Sequence, residues 1–205
     1  MNKPSVGVLN LVNSNATAVH SVIQNLGYSV TLTTNAEEIE SKTHLVIPGV
    51  GSFAAVVDEV RSIPNLGESL VAFSRSKKPI LGICLGMHLL GRSSEESLGA
   101  EGLGILDYQV QSLETLKSGL PIPHVGWNQV KLTQNNSLFE DIPSETDFYF
   151  SHSYAVFQSS SEIGVSEYGG AFVSSVAKEN VYGVQFHPER SQHYGKQIIK
   201  NFLSR

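Results

Sequence analysis

The first eighty or so residues alternate short apolar segments with stretches whose apolar residues recur at helical spacing. Short apolar segments of this kind predict buried strands, and the spaced pattern predicts helices between them. Strands that are apolar on both faces are typical of a parallel sheet covered by helices on each side. We therefore predict an α/β fold, doubly wound and mostly parallel. The predicted strands are residues 5–12, 28–33, 44–48 and 79–83, and the predicted helices are 19–26, 54–60, 66–73 and 85–92.

The second half of the chain has a different pattern, with strand-like segments separated by short turns. This pattern predicts antiparallel additions at the edge of the sheet. Ile198, Ile199 and Phe202 then indicate a closing helix. Because no linker, repeat or low-complexity segment interrupts the pattern, we expect residues 1–205 to form one domain. The strand-like segments are residues 103–113, 128–132, 147–156, 171–176 and 181–186.

Charge and composition exclude several classes of function. With 19 acidic and 14 basic residues the net charge is -5, so the chain lacks a basic field for nucleic acid or an anionic membrane. The least polar stretch, residues 79–91, is too short to cross a bilayer. The N-terminal residues 1–15 lack the features of a signal peptide and predict a first strand instead. One cysteine cannot form an internal disulfide, and a lone thiol fits a reducing cytoplasm.

That single cysteine, Cys84, lies between two glycines at the point where a predicted strand turns into a predicted helix. The pattern Gly82-Ile83-Cys84-Leu85-Gly86 has the spacing of a nucleophile elbow. The glycines allow close backbone approach, and the helix that follows favours the reactive thiolate. The alternative is an inert buried thiol, which is the commoner situation for a free cysteine. The position of Cys84 favours the nucleophile.

Partners for such a nucleophile follow other predicted strands. His187 comes directly after the strand 181–186, so we expect it beside Cys84 as a general base. Glu189 lies two residues further on, after a proline, and fits the carboxylate that orients the histidine. We expect the Leu85 amide as one oxyanion donor and the Val50 amide as the second. A surface turn could also explain each of these short motifs.

These motifs, in this order, resemble class I glutamine amidotransferases. The resemblance implies a flavodoxin-like sheet, a single domain over residues 1–205 and a Cys-His-Glu triad that releases ammonia from glutamine. Cys84, His187 and Glu189 are the matching positions. The motifs that carry it are Pro48-Gly49-Val50-Gly51, Gly82-Ile83-Cys84-Leu85-Gly86-Met87 and Phe186-His187-Pro188-Glu189.

Within that class, residues 123–128 (PHVGWN), 148–154 (FYFSHSY) and 185–191 (QFHPERS) look like the glutaminase subunit of imidazole glycerol phosphate synthase. The resemblance implies hydrolysis of L-glutamine through a cysteine thioester. It also implies a heterodimer with a (β/α)8 cyclase subunit, to which the ammonia passes. That subunit makes imidazole glycerol phosphate and AICAR in histidine biosynthesis. No metal or organic cofactor is expected.

The same resemblance implies roles for residues outside the triad. Substrate contacts are expected from Gly51, His88, Glu96, Ser153 and Tyr154. Positions expected to face the synthase are His124, Trp127, Asn128, Tyr149 and Arg190.

Two features depart from the family pattern. His88 stands where the family usually has a glutamine that contacts the substrate, and we expect His88→Gln to tighten the apparent affinity for glutamine. The segment 10–15 differs from the family's usual Asp-Tyr-Gly turn, which shapes the synthase-facing surface in relatives. The resemblance therefore specifies the reaction more closely than it specifies the partner synthase. Two alternatives therefore stay open: an amidotransferase subunit that feeds a different synthase, such as one for sugar amidation, and a catalytically impaired regulatory subunit.

Overall fold

The computed structural model of the protein describes residues 3–12 and 14–205. Met1 and Asn2, which belong to the predicted N-terminal segment, lie outside the described residues. So does Asn13, which belongs to the unusual turn at residues 10–15.

The first half of the chain has the predicted alternation of strands and helices. A short helix, α2, was not predicted, because its only buried apolar residue is Ile39 and one residue gives no periodicity. The helix after Cys84 ends at Leu90 rather than at Arg92. The elements are β1 Ser5–Leu9, α1 Ala16–Asn25, β2 Ser29–Thr33, α2 Ala36–Ser41, β3 His44–Gly49, α3 Phe53–Ser62, α4 Leu66–Arg75, β4 Ile80–Cys84 and α5 Leu85–Leu90.

The second half is strand-rich, as predicted, but several boundaries differ. The predicted strand 103–113 is reduced to β6, and the segment 147–156 is two strands separated by Ser153. Strand β10 was not predicted, because Gly164 and two glutamates weaken its apolar pattern. The elements are β5 Ser93–Ser94, β6 Gln109–Ser112, β7 His124–Leu132, β8 Thr146–His152, β9 Tyr154–Val156, β10 Glu162–Glu167, β11 Ala171–Lys178, β12 Val181–Val184 and α6 Gln192–Leu203.

The strands form one large sheet whose main path runs in the order β2-β1-β3-β4-β12-β11-β10-β7-β8. Pairing is parallel from β2 through β12 and antiparallel from β12 through β8. Strands β5, β6 and β9 form a branch attached to β11. The predicted α/β sheet with antiparallel additions is confirmed, but the antiparallel part is larger than expected: among the described residues, six strand pairings are antiparallel and five are parallel.

Two hydrophobic clusters cover the two faces of the sheet. One cluster includes Val19 and Ile23 of α1 together with Ile198 and Phe202 of α6. The other cluster includes apolar residues of α2, α3, α4 and α5. Helices therefore pack on both faces of the sheet, which is the predicted doubly wound arrangement. Within residues 3–12 and 14–205, no helix has the length and apolar character that crossing a membrane requires.

Candidate active site

The turn at Cys84 has the geometry of a nucleophile elbow. Cys84 is the last residue of β4 and adopts φ 51° and ψ -110°, a conformation that is strained for any residue other than glycine. The helix α5 begins at the next residue, Leu85. A Cβ atom at Gly86 would collide with the carbonyl of Ile47, and one at Gly82 would lie 2.7 Å from the oxygen of Gly86. The two glycines are therefore required for this close backbone approach.

The neighbouring strand β12 brings His187 to the same edge of the sheet. Strand β12 is parallel to β4, with Val184 paired to Ile83. The chain leaves the sheet after Val184, so His187 emerges beside Cys84. Two hydrogen bonds fix its backbone: the His187 amide donates to the carbonyl of Tyr149 at 2.8 Å, and the hydroxyl of Ser191 donates to the carbonyl of His187 at 2.7 Å.

A short helical turn, Pro188–Arg190, places Glu189 against His187. Proline suits the first position of a helical turn because no hydrogen bond partner is needed there. Glu189 Oε1 lies 2.8 Å from His187 Nδ1, and both side chains are buried. The other carboxylate oxygen, Oε2, is buried without a hydrogen-bond partner among the described residues. Cys84, His187 and Glu189 are thus brought together as the sequence predicts.

The charge state of His187 follows from these neighbours. Burial lowers the pKa of His187, but the Cys84 side chain that it contacts and the Glu189 carboxylate outweigh burial and raise the pKa to about 10. The imidazole is therefore protonated near neutral pH. An imidazolium beside Cys84 stabilises the thiolate, which is the nucleophilic form of cysteine. This arrangement can carry out acyl transfer with His187 as the proton donor.

A fourth polar residue, Asn15, belongs to this centre and is not predicted from the sequence. The side-chain amide of Asn15 donates to Glu189 Oε1 at 2.8 Å, so the same oxygen is shared by Asn15 and His187. Asn15 lies at the start of α1 with φ 55° and does not cap that helix with its side chain. An asparagine tolerates this left-handed conformation better than most residues. Its sequence signal is weak, because asparagine is common at such turns for local reasons.

A cavity of about 390 Å³ opens above Cys84. Cys84 and His187 lie in its wall, and both are almost fully buried. Every predicted oxyanion and substrate residue also lines it. These residues are Val50, Gly51, Leu85, His88, Glu96, Ser153 and Tyr154.

Four of the predicted substrate positions are defined further by their contacts or by their place between strands. Glu96 Oε2 accepts a hydrogen bond from the amide of Phe53 at 3.1 Å, so Glu96 also caps α3. Burial raises the pKa of Glu96, although this hydrogen bond opposes the shift. Ser153 and Tyr154 lie where β8 ends and β9 begins. His88 is buried, and its Nε2 lies 2.7 Å from Oε1 of Gln185, a residue that sequence analysis left without a role.

The two predicted oxyanion donors come from adjacent strand ends. Gly49 of β3 pairs with Cys84 of β4, so the residues that follow each of them, Val50 and Leu85, are neighbours. The turn after β3 contains Gly51 with φ 98°, a backbone conformation that glycine adopts without strain. Both predicted donor residues therefore lie in the cavity wall with Cys84.

The predicted synthase-facing residues divide into two groups. Trp127 is half exposed and Arg190 is exposed, while Tyr149 and Asn128 are partly exposed. Trp127 and Arg190 both lie near the ring of Tyr149, at 6.2 Å between ring centroids and 5.6 Å from the guanidinium carbon. His124, by contrast, is only 3% exposed and is stacked between Tyr168 and Phe150. The prediction that the His124 side chain faces a partner does not fit this position, because the ring belongs to the core.

A larger groove of about 850 Å³ lies beside α3 and α4, and it shares no lining residue with the cavity at Cys84. Across residues 3–12 and 14–205, no group of three or more His, Cys, Asp or Glu side chains is arranged to hold a metal ion.

Several known proteins match this chain over nearly its whole length. The chain is 41% identical over 199 residues to the imidazole glycerol phosphate synthase subunit HisH of Pectobacterium atrosepticum, with 97% of this chain and 98% of that protein covered. The HisH subunit of Escherichia coli strain K12 gives the same figures. The HisH subunit of Buchnera aphidicola is 39% identical over 190 residues, covering 93% of this chain and 94% of that protein.

Solved structures share the fold at much lower identity. A structure described as a glutamine amidotransferase superposes with a TM-score of 0.75 at 16% identity and covers 97% of both chains. A glutamine amidotransferase from Thermotoga maritima gives a TM-score of 0.66 at 17% identity, covering 100% of this chain and 84% of that one. The family described as Glutamine amidotransferase class-I matches residues 8–205. The protein therefore belongs to the class I glutamine amidotransferases.

Proposed function

We propose that the protein is the glutaminase subunit of imidazole glycerol phosphate synthase and that residues 1–205 act as one amidotransferase domain. One observation carries the proposal. The cavity wall combines a strained Cys84 with His187, and Glu189 Oε1 lies 2.8 Å from Nδ1 of that histidine. Identity of about 40% to the HisH subunits over nearly the whole chain supports the choice of this subunit among amidotransferases.

Cys84, His187 and Glu189 divide the reaction between them. The Cys84 thiolate attacks the side-chain carbonyl carbon of glutamine and forms the S–C bond, and His187 gives its proton to the departing nitrogen as the C–N bond breaks. Ammonia leaves, and a thioester remains on Cys84. The neutral His187 then takes a proton from water, whose oxygen displaces the sulfur and yields glutamate. Glu189 keeps the imidazole oriented and favours its charged form throughout.

The other cavity residues suit the substrate and the transition state. The amides of Val50 and Leu85 would stabilise the tetrahedral oxyanion. Glu96 offers a carboxylate to the amino group of glutamine, and the backbone of Ser153 and Tyr154 would hold its carboxylate. Gly51 borders open space in the cavity, because a Cβ atom there would meet nothing within 4 Å. A cavity of about 390 Å³ has room for one amino acid and water.

The proposed partner is a (β/α)8 cyclase subunit that receives the ammonia in a heterodimer and makes imidazole glycerol phosphate and AICAR. Trp127 and Val125 are half exposed on β7, Tyr149 lies beside Trp127, and Arg190 lies over the ring of Tyr149. Exposed aromatic and arginine side chains are enriched at protein interfaces. This surface is continuous with the cavity, because Arg190 also lines it. We place the reaction in the cytoplasm, where a lone thiol stays reduced.

The decisive experiment measures glutamate formation from glutamine by the purified protein. The protein is assayed alone and with a histidine-pathway cyclase subunit plus that subunit's ligand, and Cys84→Ala is the control. We expect stimulation by the cyclase and complete loss in Cys84→Ala. Activity that the cyclase does not stimulate would favour an amidotransferase for another acceptor. If the protein forms no glutamate either alone or with the cyclase, and His88→Gln does not restore activity, a regulatory subunit would be favoured.

A further inference from the structure

A second polar group besides His187 lies against the sulfur of Cys84. Gln185 is fully buried and follows β12 directly, and its side-chain Nε2 donates to Cys84 Sγ at 3.6 Å. Its carboxamide oxygen, Oε1, lies 2.7 Å from His88 Nε2. The mechanism above gives neither Gln185 nor His88 a role at the sulfur.

The direction of these hydrogen bonds follows from chemistry. A carboxamide oxygen can only accept, so His88 Nε2 must carry the hydrogen that it donates to Gln185. Burial lowers the pKa of His88 to about 4, although its contact with Gln185 opposes the shift. The ring is therefore neutral near pH 7. With its oxygen held by His88, the carboxamide of Gln185 must present its NH2 group to Cys84.

A donor at this position acts selectively on the thiolate. In the thiol form, Cys84 Sγ donates to the carbonyl of Ser151 at 3.8 Å. Deprotonation removes that hydrogen bond and leaves a negative sulfur, which accepts from Gln185 Nε2. Hydrogen bonds to an ionised acceptor are stronger than those between neutral groups. If the carboxamide were reversed, its oxygen would face the sulfur and repel the thiolate.

We propose that Gln185 is a further catalytic residue, which donates a hydrogen bond to the Cys84 thiolate, and that His88 is a positioning residue, which holds the Gln185 carboxamide in the donating orientation. The proposal rests on the proposed function only in taking Cys84 as the nucleophile. It gives His88 a task that differs from direct contact with the substrate.

The test uses alkylation of Cys84 by iodoacetamide in the intact protein, which needs no glutaminase activity. Cys84 is the only cysteine, so the modified site is unambiguous. The rate is followed from pH 5 to 10 in Gln185→Leu and in the nearly isosteric Gln185→Glu. We expect Gln185→Leu to react about tenfold more slowly at low pH, with the profile displaced upward by about one pH unit. Gln185→Glu should show a larger displacement, because it brings a carboxylate to the thiolate.

Gln197→Leu is the matched control, because Gln197 lies on α6 and, within the part of the chain that the structure describes, its side chain hydrogen-bonds to Asn201 alone. His88→Phe removes the group that orients Gln185, so it should displace the profile in the same direction. His88→Gln restores a donor and should return the rate to within about threefold of the wild type. A parallel assay of glutaminase activity should show a fall in kcat for Gln185→Leu with KM little changed, because Gln185 does not line the cavity.

An unchanged alkylation profile in folded Gln185→Leu and His88→Phe would overturn the proposal. A variant that raises KM alone, without changing thiol reactivity, would also overturn it. Circular dichroism of each variant shows whether it is folded, and Gln185→Glu keeps the test available if the leucine variant unfolds. Failure of the proposed function would appear differently, as normal alkylation of Cys84 with no glutamate formed.

Discussion

Nδ1 of His124 lies 2.9 Å from Nε2 of His152 in the interior of the protein. His152 Nδ1 lies 2.9 Å from the carbonyl of Tyr154, so that nitrogen is the donor. Asn128 Nδ2 lies 3.3 Å from His124 Nε2. Asn128 Nδ2 therefore donates to His124 Nε2, His124 Nδ1 donates to His152 Nε2, and His152 Nδ1 donates to the Tyr154 carbonyl. This series of hydrogen bonds connects the half-exposed strand β7 with the wall of the cavity at Cys84, where His152 and Tyr154 lie.

The first prediction concerns His152. Replacing His152 by phenylalanine keeps the aromatic packing against Phe150 and Phe172 but removes the hydrogen bond to the Tyr154 carbonyl. The backbone at Ser153 and Tyr154 loses one of the hydrogen bonds that hold it, so we expect KM for glutamine to rise about tenfold, with a smaller change in kcat. Steady-state kinetics measures both constants.

His193→Phe is the matched control for this prediction, because His193 is exposed on α6 and lies outside the cavity. An unchanged KM in a folded His152→Phe variant would show that the hydrogen bond does not position the substrate wall.

The second prediction is that the protein loses stability in mild acid. Burial lowers the pKa of His88 and His124 to about 4 and that of His152 to about 3. Below pH 6.5, the ordinary pKa of histidine, these side chains bind protons in the unfolded chain but stay neutral in the folded protein. Their contribution to stability is therefore full above pH 6.5 and falls as the pH drops toward 4. Each histidine contributes at most about 1.4 kcal/mol per pH unit in that range.

His187 behaves in the opposite direction. Its raised pKa makes its contribution full below pH 6.5 and progressively lost as the pH rises toward 10. Urea unfolding at pH 5, 7 and 9 measures both effects. We expect the free energy of unfolding to be highest near pH 7 and lower by at least about 2 kcal/mol at pH 5. In His88→Gln the loss between pH 7 and 5 should be smaller, and an identical loss would contradict the assignment.

The third prediction concerns Asn15, which shares Glu189 Oε1 with His187. Asn15→Gly retains the left-handed backbone but removes the donor, and Asn15→Asp places a second carboxylate beside Glu189. We expect kcat to fall about tenfold in Asn15→Gly, because Glu189 loses a hydrogen bond that helps it to orient His187. The fall should be larger in Asn15→Asp, because the second carboxylate also repels Glu189. Asn65→Gly is the control, since Asn65 also has a positive φ at the start of a helix, α4. Equal kcat values in the two Asn15 variants would argue against a role through Glu189.

Much of the fold and the catalytic centre could be predicted from the sequence, because the relevant signals are local. The strand before Cys84 is wholly apolar, the two glycines fix the elbow, and His187 follows a strand that must end at the same edge of the sheet. Parallel pairing then brings these residues together without knowledge of any side-chain contact. That arrangement is confirmed by the register of β4 and β12.

The features that the sequence did not reveal depend on distant contacts. Asn15 and Glu189 are 174 residues apart in the chain, and His88 and Gln185 are 97 apart. No periodicity connects such pairs. His124 lies in a segment whose alternate residues Val125 and Trp127 are exposed, so its burial depends on which face of β7 meets Tyr168 and Phe150. Which face of a strand is buried is set by tertiary packing.

The final prediction tests the elbow through its backbone. In Gly86→Ala the new methyl group would collide with the carbonyl of Ile47, and neither backbone can yield without moving β3 or α5. We expect a loss of more than about 3 kcal/mol in the free energy of unfolding, as for other overpacked backbone contacts. Gly67→Ala is the matched control: Gly67 lies in α4, where the nearest atom is 3.7 Å away, and alanine there should add about 0.5–1 kcal/mol. Urea unfolding of both variants separates steric conflict at the elbow from a general effect of replacing glycine, and similar stabilities would refute the close packing of α5 against β3.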